Sequence, residues 1–202
     1  MSEFATRGAY RQFERAVKQK ERYFRSPEVD EFLRLVLETS INRQKTIPAP
    51  SRFWRAQLGH GWDTIEQDGS SFEVPGPHEA ERMKPRPHAA TEGRVNPKGI
   101  PCLYLATDAN TAMAEVRPWL GRLVSVAQFR TVRVLRIVDC SVEHAQKRQV
   151  YFADEEPSPQ ERERAVWCDI DRSFSEPIHT DESTADYAST QIPCRILQTQ
   201  RL

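Results

Sequence analysis

The stretch GRVNPKGIPCLYLATDANTAMAEV, residues 93–116, decides the fold that we predict for this chain. Residues 97–99 are proline, lysine and glycine, which favour a turn. The apolar run 100–107 contains a tyrosine and predicts a short strand. Asp108 is a favourable N-cap for a helix that extends to Val116. A turn, a strand and the start of a helix therefore follow one another here.

Three side chains of this stretch suggest a binding site. Arg94, Tyr104 and Glu115 are close in sequence and lie on elements that can converge on one pocket. A cation, an aromatic face and a carboxylate suit a ligand with phosphates, a planar ring and a ribose. Each also has a structural alternative: a salt bridge for the arginine, a core position for the tyrosine, and pairing with Arg117 or Arg122 for the glutamate.

The composition indicates a single domain without a charge bias. The chain has 202 residues, a net charge of +0 and a mean hydropathy of −0.68. A neutral balance favours neither nucleic acid nor an anionic membrane as a partner. Apolar runs stay below the roughly 18 residues that a membrane span needs, and the N-terminus lacks the apolar region of a secretory signal. A cytoplasmic protein is expected.

The cysteines and histidines carry no metal-binding pattern. The four cysteines form no C-x-x-C pair, and the five histidines lack the spacing of metal ligands, so we expect free thiols and no metal. A cysteine–histidine or serine–histidine hydrolase stays open as an alternative, although G-x-S-x-G is lacking. Walker and dinucleotide fingerprints are also lacking, so a nucleotide would be bound without a Rossmann fold.

The N-terminal region predicts two helices. Residues 8–24 are charged and favour a helix, and Ser26 is an N-cap for a second helix whose first residue is Pro27. The second helix carries an apolar stripe at helical spacing, which we expect to cover the sheet. The members of the stripe are Val29, Phe32, Leu33, Val36 and Leu37.

The rest of the chain alternates between predicted strands, loops and one helix. Residues 52–57 predict the first strand, and residues 59–92 predict a long loop because they show little periodicity. Residues 123–131 and 133–140 predict two strands, and residues 160–174 predict a helix. The inward positions of the two strands are predicted to be Val124, Val126, Leu135 and Ile137.

The central stretch resembles the RES domain family, which is named for an arginine, a glutamate and a serine. The family pattern, G-R-[FA]-N-P-x-G-x-P-x-L-Y-x-A followed by A-x-x-E-[VA], resembles residues 93–106 and 112–116. Residues 53–55 resemble the family's entry strand, which carries a further arginine, and residues 186–191 resemble its Y-x-x-T-Q motif. The resemblance covers roughly residues 52–191.

The resemblance implies a fold and an activity. RES domains are similar to ADP-ribosyltransferase toxins, small α/β domains with a split, mostly antiparallel sheet. We therefore expect an N-terminal helical extension at residues 1–50 and the RES domain at residues 51–202. Family members are toxins of bacterial toxin–antitoxin pairs that consume NAD by glycohydrolysis, phosphorolysis or ADP-ribose transfer. The resemblance implies an antitoxin partner, often with an Xre-like DNA-binding domain, and leaves homo-oligomerisation open.

The resemblance also implies roles for single residues. Glu115 would stabilise the oxocarbenium-like ribose when NAD is cleaved. Arg94, with Arg55 as a second choice, would bind the pyrophosphate, and Tyr104 would stack on nicotinamide or bond a ribose hydroxyl. The catalytic set is thus Glu115, Arg94 and Tyr104. The NAD-binding set is Arg55, Arg94, Tyr104, Lys98 and Gln191, and Thr190 shapes the same pocket wall.

The end of the sequence departs from the family pattern. Residues 192–202 lack the glycine-containing turn, the final strand and the serine of the family, and Pro193 opposes a helix through its position. We therefore expect the C-terminal strand to be missing. Two alternatives to an active toxin follow: a catalytically inactive remnant that only binds an antitoxin, or an interaction module that uses the stripe in residues 29–37.

Overall fold

The computed structural model describes residues 3–87, 89–144, 157–176 and 184–199. The helices are α1 (Ala9–Gln19), α2 (Pro27–Ser40), α3 (Ala109–Glu115), α4 (Pro159–Ser175) and α5 (Ala188–Thr199). The strands are β1 (Gln44–Ile47), β2 (Arg52–Leu58), β3 (Gly61–Gln67), β4 (Ser70–Gly76), β5 (Val124–Arg130) and β6 (Leu135–Val138).

The predicted fold class is confirmed. The chain is mixed α/β, and a helical segment of α1 and α2 precedes the sheets. The sheets are small and two-stranded: β2 pairs with β5 and β3 with β4, both antiparallel, and β1 pairs with β6. None of the helices in the described ranges combines the length and the apolar character that a membrane crossing needs.

The chain forms two compact units. Unit 1 contains Met1–Lys45, Thr91–Lys98 and Arg136–Leu202, and unit 2 contains Thr46–Ala90 and Gly99–Leu135. The N-terminal helices pack with α4 and α5 inside unit 1. The predicted division of the chain near residue 50 stays a prediction.

The apolar stripe of α2 packs on helices, not on a sheet as predicted. Four of its members, Val29, Phe32, Leu33 and Val36, belong to a core shared with α1, α4 and α5, and Leu37 is half-buried. In this core the Phe13 and Phe32 rings stack at 4.5 Å between centroids. Trp167 of α4 is fully buried, and its Nε1 donates to Thr39 Oγ1 at 3.0 Å. Phe32 and Leu33 are therefore buried in the core and do not form an exposed interaction face.

Side-chain caps begin two helices of unit 1, one at the predicted Ser26 and one at Ser158, which was not predicted. The Ser26 hydroxyl accepts from Val29 N at 3.4 Å, and Pro27 occupies the first helical position. Ser158 and Glu161 form a capping box at the start of α4. The helices predicted at residues 8–24 and 160–174 are confirmed as α1 and α4, the former shorter than predicted.

The prediction that Pro193 opposes a helix is wrong, because α5 runs through it. A proline lacks the N–H that would donate to the carbonyl four residues earlier, which is that of Ser189. The Tyr10 hydroxyl of α1 donates to this carbonyl oxygen at 3.4 Å. Burial raises the pKa of Tyr10 to about 12, so the phenol keeps its proton at neutral pH. A donor from a distant helix thus replaces the missing backbone group.

The prediction of a long loop at residues 59–92 is wrong, because β3 and β4 form a hairpin inside it. The register pairs Gln67 with Ser70 and leaves Asp68 and Gly69 as a two-residue turn, both with positive φ (54° and 72°). Asp-Gly is a strong signal for such a turn because both central residues need φ above zero. Most hairpin side chains are exposed, which explains the weak hydrophobic periodicity.

Strand β5 buries a polar residue where apolar ones were predicted. Val124 and Val126 are half-buried, whereas Ser125 between them is 3% exposed. Its hydroxyl accepts from His78 N and donates to Gly59 O, both at 2.9 Å. The strands themselves are confirmed as β5 and β6.

We expect Tyr10→Phe to destabilise the protein by about 1–3 kcal/mol, because it leaves the Ser189 carbonyl without a donor. In a Pro193→Ala background the loss should be smaller, since residue 193 then supplies its own N–H. Urea unfolding of the four proteins of this cycle, followed by circular dichroism, measures the coupling. An equal loss in both backgrounds would contradict the explanation given for α5.

Candidate functional site

Arg94 lies in a tight turn of unit 1. Gly93 N donates to Asn96 O at 3.0 Å and Asn96 N donates to Gly93 O at 3.3 Å, which closes the four-residue turn 93–96. Asn96 is 3% exposed, and its Nδ2 donates to Thr91 O at 2.9 Å. The backbone around Arg94 is thus fixed by bonds from both ends of the turn.

The first turn of α5 holds the same backbone from the other side. Thr190 Oγ1 donates to Arg94 O at 2.7 Å. Gln191 Nε2 donates to Gly93 O at 2.9 Å and to Asn96 O at 3.1 Å. Because each acceptor is a backbone carbonyl, the side chains of residues 190 and 191 must be hydrogen-bond donors. The T-Q pair, predicted as a pocket wall, therefore makes contacts that support the Arg94 turn.

The guanidinium of Arg94 lies at the C-terminal end of α4. Its Nη1 and Nη2 donate to the carbonyl oxygens of Ser173 and Glu176. Carbonyls at a helix C-terminus lack intrahelical donors and attract cations. The salt bridge considered from sequence is not observed: among the described residues no carboxylate pairs with Arg94. Its phosphate-binding role stays a prediction.

In unit 2 the prediction of a strand at residues 100–107 is wrong, because only Ala106 in this range forms a β-bridge. Trp54 and Ala106 exchange both backbone bonds at 2.8 Å, and the ladder does not continue beyond this bridge. Pro101 lacks the N–H of a ladder donor, and the apolar residues Leu103 and Leu105 are exposed. Strand geometry therefore does not set the direction of the Tyr104 side chain, which is 45% exposed.

Helix α3 begins as predicted and carries Glu115 as its last residue. Asp108 Oδ1 accepts from Thr111 N at 2.8 Å, and the buried Ala112 marks the packed face. The helix packs against β2 and β5. Arg117, which follows its C-cap, has φ of 44°, a left-handed conformation that costs energy in a residue other than glycine.

The carboxylate of Glu115 is exposed and has no hydrogen-bond or ion-pair partner among the described residues. The structural alternative considered from sequence, pairing with Arg117 or Arg122, is not observed. Lys98 is likewise exposed in its turn, beside Gly99 at φ of 84°. Both charges are therefore available to a ligand.

Arg55 of unit 2 has a partly buried guanidinium group. It lies on β2 opposite Ala127 of β5, and its Nη1 is buried without a hydrogen-bond partner. Burial first, and the nearby Arg82 second, lower the pKa of Arg55. Arg82 donates to Gln57 Oε1, and Gln57 Nε2 donates to Arg82 O at 3.1 Å. No motif marks Arg82 or Gln57 as a functional residue, so both were missed by the sequence analysis.

A histidine–aspartate–serine cluster and a cavity between two helices include none of these residues. His144 Nδ1 lies 2.9 Å from Asp171 Oδ2, and Ser175 donates to the other oxygen of Asp171 at 3.3 Å, so the carboxylate separates the hydroxyl from the imidazole. This order does not match a serine–histidine nucleophile pair. A cavity of about 440 Å³ lies between α1 and α2 and is lined by none of the predicted site residues.

The two units divide the predicted site residues. Arg94, Lys98 and Gln191 belong to unit 1, and Arg55, Tyr104 and Glu115 belong to unit 2. Within unit 1 the structure brings Gln191 onto the Arg94 turn. Within unit 2 it places residues 54 and 106 side by side and packs α3 on β2, so the three residues of that unit lie on adjoining segments.

The described residues thus include an unpaired glutamate at a helix end and an arginine whose buried nitrogen lacks a hydrogen-bond partner. The family model described as RES domain matches residues 47–201, most of the chain, and the chain belongs to this family. The RES domain family is associated with NAD-consuming toxin–antitoxin systems. No curated protein and no solved structure shows significant similarity to the chain.

We expect Gln191→Ala to loosen the turn 93–96, because two carbonyls lose a donor. If the free energy of local opening falls by about 1.4 kcal/mol, the population of the open state rises about tenfold. Trypsin cleavage after Arg94, measured by mass spectrometry under native conditions, should accelerate by a similar factor. Gln160→Ala, at an exposed position of α4, is the matched control. Equal cleavage rates in both variants would show that the amide does not hold the turn.

Proposed function

We propose that this chain is an NAD-consuming toxin of a bacterial toxin–antitoxin system that breaks the nicotinamide–ribose bond. Membership of the RES domain family supports this proposal at the level of the protein class. The single observation that carries the chemistry is the carboxylate of Glu115, which is exposed and unpaired at the end of α3. Because no neighbouring arginine neutralises it, this carboxylate keeps its negative charge available to a bound ligand.

The reaction needs a negative charge beside the ribose. When the bond between nicotinamide and the anomeric carbon breaks, the bonding electrons leave with nicotinamide and positive charge develops on the ribose ring. A fixed carboxylate stabilises this charge. The acceptor, which is water, phosphate or a protein side chain, then forms a bond to the anomeric carbon and releases its proton. Glu115 is the catalytic residue of this proposal.

The remaining site residues are proposed to bind NAD. Arg55 has a buried guanidinium nitrogen without a partner, which suits a phosphate oxygen. Tyr104 is partly exposed and offers an aromatic face to nicotinamide or its phenol to a ribose hydroxyl. For Arg94 and Lys98 of unit 1 a phosphate-binding role is proposed from the family motif alone, since Arg94 Nη1 and Nη2 donate to the carbonyl oxygens of Ser173 and Glu176. Gln191 contributes indirectly, because its amide is occupied by the Arg94 turn.

An antitoxin is the proposed partner of the chain. An enzyme that depletes NAD would stop the growth of the cell that makes it, so a second protein must suppress its activity until release. Co-expression of the gene beside the toxin gene should restore growth and give a complex that copurifies. Growth arrest that no neighbouring gene relieves would count against this part of the proposal.

Glu115→Gln should lower NAD consumption by about 10²–10³-fold, because an amide lacks the charge that the transition state requires. The loss of NAD by the purified protein, followed by liquid chromatography, measures the effect. Glu66→Gln, an equal substitution at an exposed position of β3, should leave the rate unchanged. Undiminished turnover by Glu115→Gln would remove Glu115 from the catalytic role. No turnover by the unmodified chain would favour the alternative of an inactive remnant that only binds a partner.

Mass spectrometry of the products distinguishes the acceptors. Hydrolysis gives free ADP-ribose, phosphorolysis gives ADP-ribose phosphate only when phosphate is added, and transfer adds the mass of ADP-ribose to a protein. If the chain is a glycohydrolase or a phosphorylase, all of the products that contain ADP-ribose are small molecules. A protein adduct as the main product would assign the chain to the ADP-ribosyltransferases.

A further inference from the structure

Two arginines of unit 2 lie together without an acidic partner. Arg55 and Gln57 are two residues apart on β2, so their side chains point to the same face of the strand. Gln57 binds Arg82 twice: its side-chain oxygen accepts from Arg82 Nη1, and its Nε2 donates to Arg82 O at 3.1 Å. These reciprocal bonds hold Arg82 beside Arg55.

The charge of this pair is not balanced by the protein. Neither Arg55 nor Arg82 forms a salt bridge with any carboxylate in the described part of the chain. Arg55 Nη1 is buried and has no hydrogen-bond partner there. A buried donor left unsatisfied costs about 1–3 kcal/mol, and more when it is charged, so an arrangement of this kind needs a compensating acceptor.

The lowered pKa of Arg55 agrees with this geometry. Burial is the first cause and the charge of Arg82 the second, so both disfavour the charged form of Arg55. An anion between them would remove both penalties at once.

We propose that Arg55 and Arg82 together bind a phosphate-class anion, and that Gln57 is the positioning residue that fixes Arg82. The guanidinium fork donates two parallel bonds to phosphate oxygens, and two guanidinium groups match the charge of a diphosphate or of an inorganic phosphate dianion. The choice of the NAD diphosphate as the natural ligand rests on the proposed function, with inorganic phosphate as the second source of the same chemistry.

Binding to ADP-ribose, to inorganic pyrophosphate and to inorganic phosphate tests the site without any turnover. Isothermal titration of the full chain should show that Arg82→Gln weakens binding of ADP-ribose and of pyrophosphate at least tenfold. Gln57→Leu should weaken both by a smaller factor, since Arg82 keeps its charge but loses its position. Arg86→Gln, an equal substitution at an exposed residue of the same segment, is the control and should change affinity less than twofold.

Arg82→Lys separates binding from folding. It keeps the charge and should recover part of the affinity for ADP-ribose while its thermal unfolding matches that of the unmodified chain. Affinity for all three anions that is the same in Arg82→Gln, Arg82→Lys and the unmodified chain would overturn the proposal. Loss of phosphate binding alone would support the anion site and assign it to inorganic phosphate.

Kinetics separate a failure of this inference from a failure of the proposed function. If the chain consumes NAD, Arg82→Gln should raise KM at least tenfold and leave kcat within about threefold, as expected for a contact made equally in the ground and transition states. Turnover with an unchanged KM would reject the role of Arg82 and leave the proposed function standing. Arg82-dependent binding of ADP-ribose without NAD consumption would reject the proposed function and retain the site.

Discussion

The backbone of the Arg94 turn depends on two side-chain donors from α5. Thr190 and Gln191 donate to three carbonyls of this turn, in addition to the two backbone bonds within residues 93–96. The donors are themselves placed by α5, which can run through Pro193 because Tyr10 bonds the Ser189 carbonyl. A chain of hydrogen bonds thus links the N-terminal helix to the motif arginine, all within unit 1.

Unit 2 carries the charges that the protein leaves uncompensated. Glu115 has no partner among the described residues, Arg55 has a buried nitrogen without an acceptor, and Arg82 adds a second cation near it. The buried, unpartnered nitrogen of Arg55 costs free energy that a bound anion would offset, whereas the exposed Glu115 is solvated and carries no such penalty. A ligand with a diphosphate and a ribose that becomes cationic would satisfy charges of both signs.

The elements that local residues determine could be predicted from the sequence. The features that depend on contacts between residues far apart in the chain could not. The caps at Ser26 and Asp108 identified the starts of α2 and α3, and alternating residues identified β2 and β5. The Asp68-Gly69 turn was a local signal that the low periodicity of its exposed hairpin obscured. The continuity of α5 depends on Tyr10, far away in sequence, and no local pattern could reveal it. Arg82 likewise acquires a role only through its bonds to Gln57, so the sequence could not identify it.

A crystal structure of the chain with ADP-ribose bound would show directly whether Glu115 and Arg55 contact one ligand. We expect the Glu115 carboxylate within about 4 Å of the anomeric carbon, close to a reactive approach, and the diphosphate on the guanidinium of Arg55. ADP-ribose seated elsewhere, for example in the cavity between α1 and α2, with Glu115 and Arg55 both free of contact, would contradict this expectation.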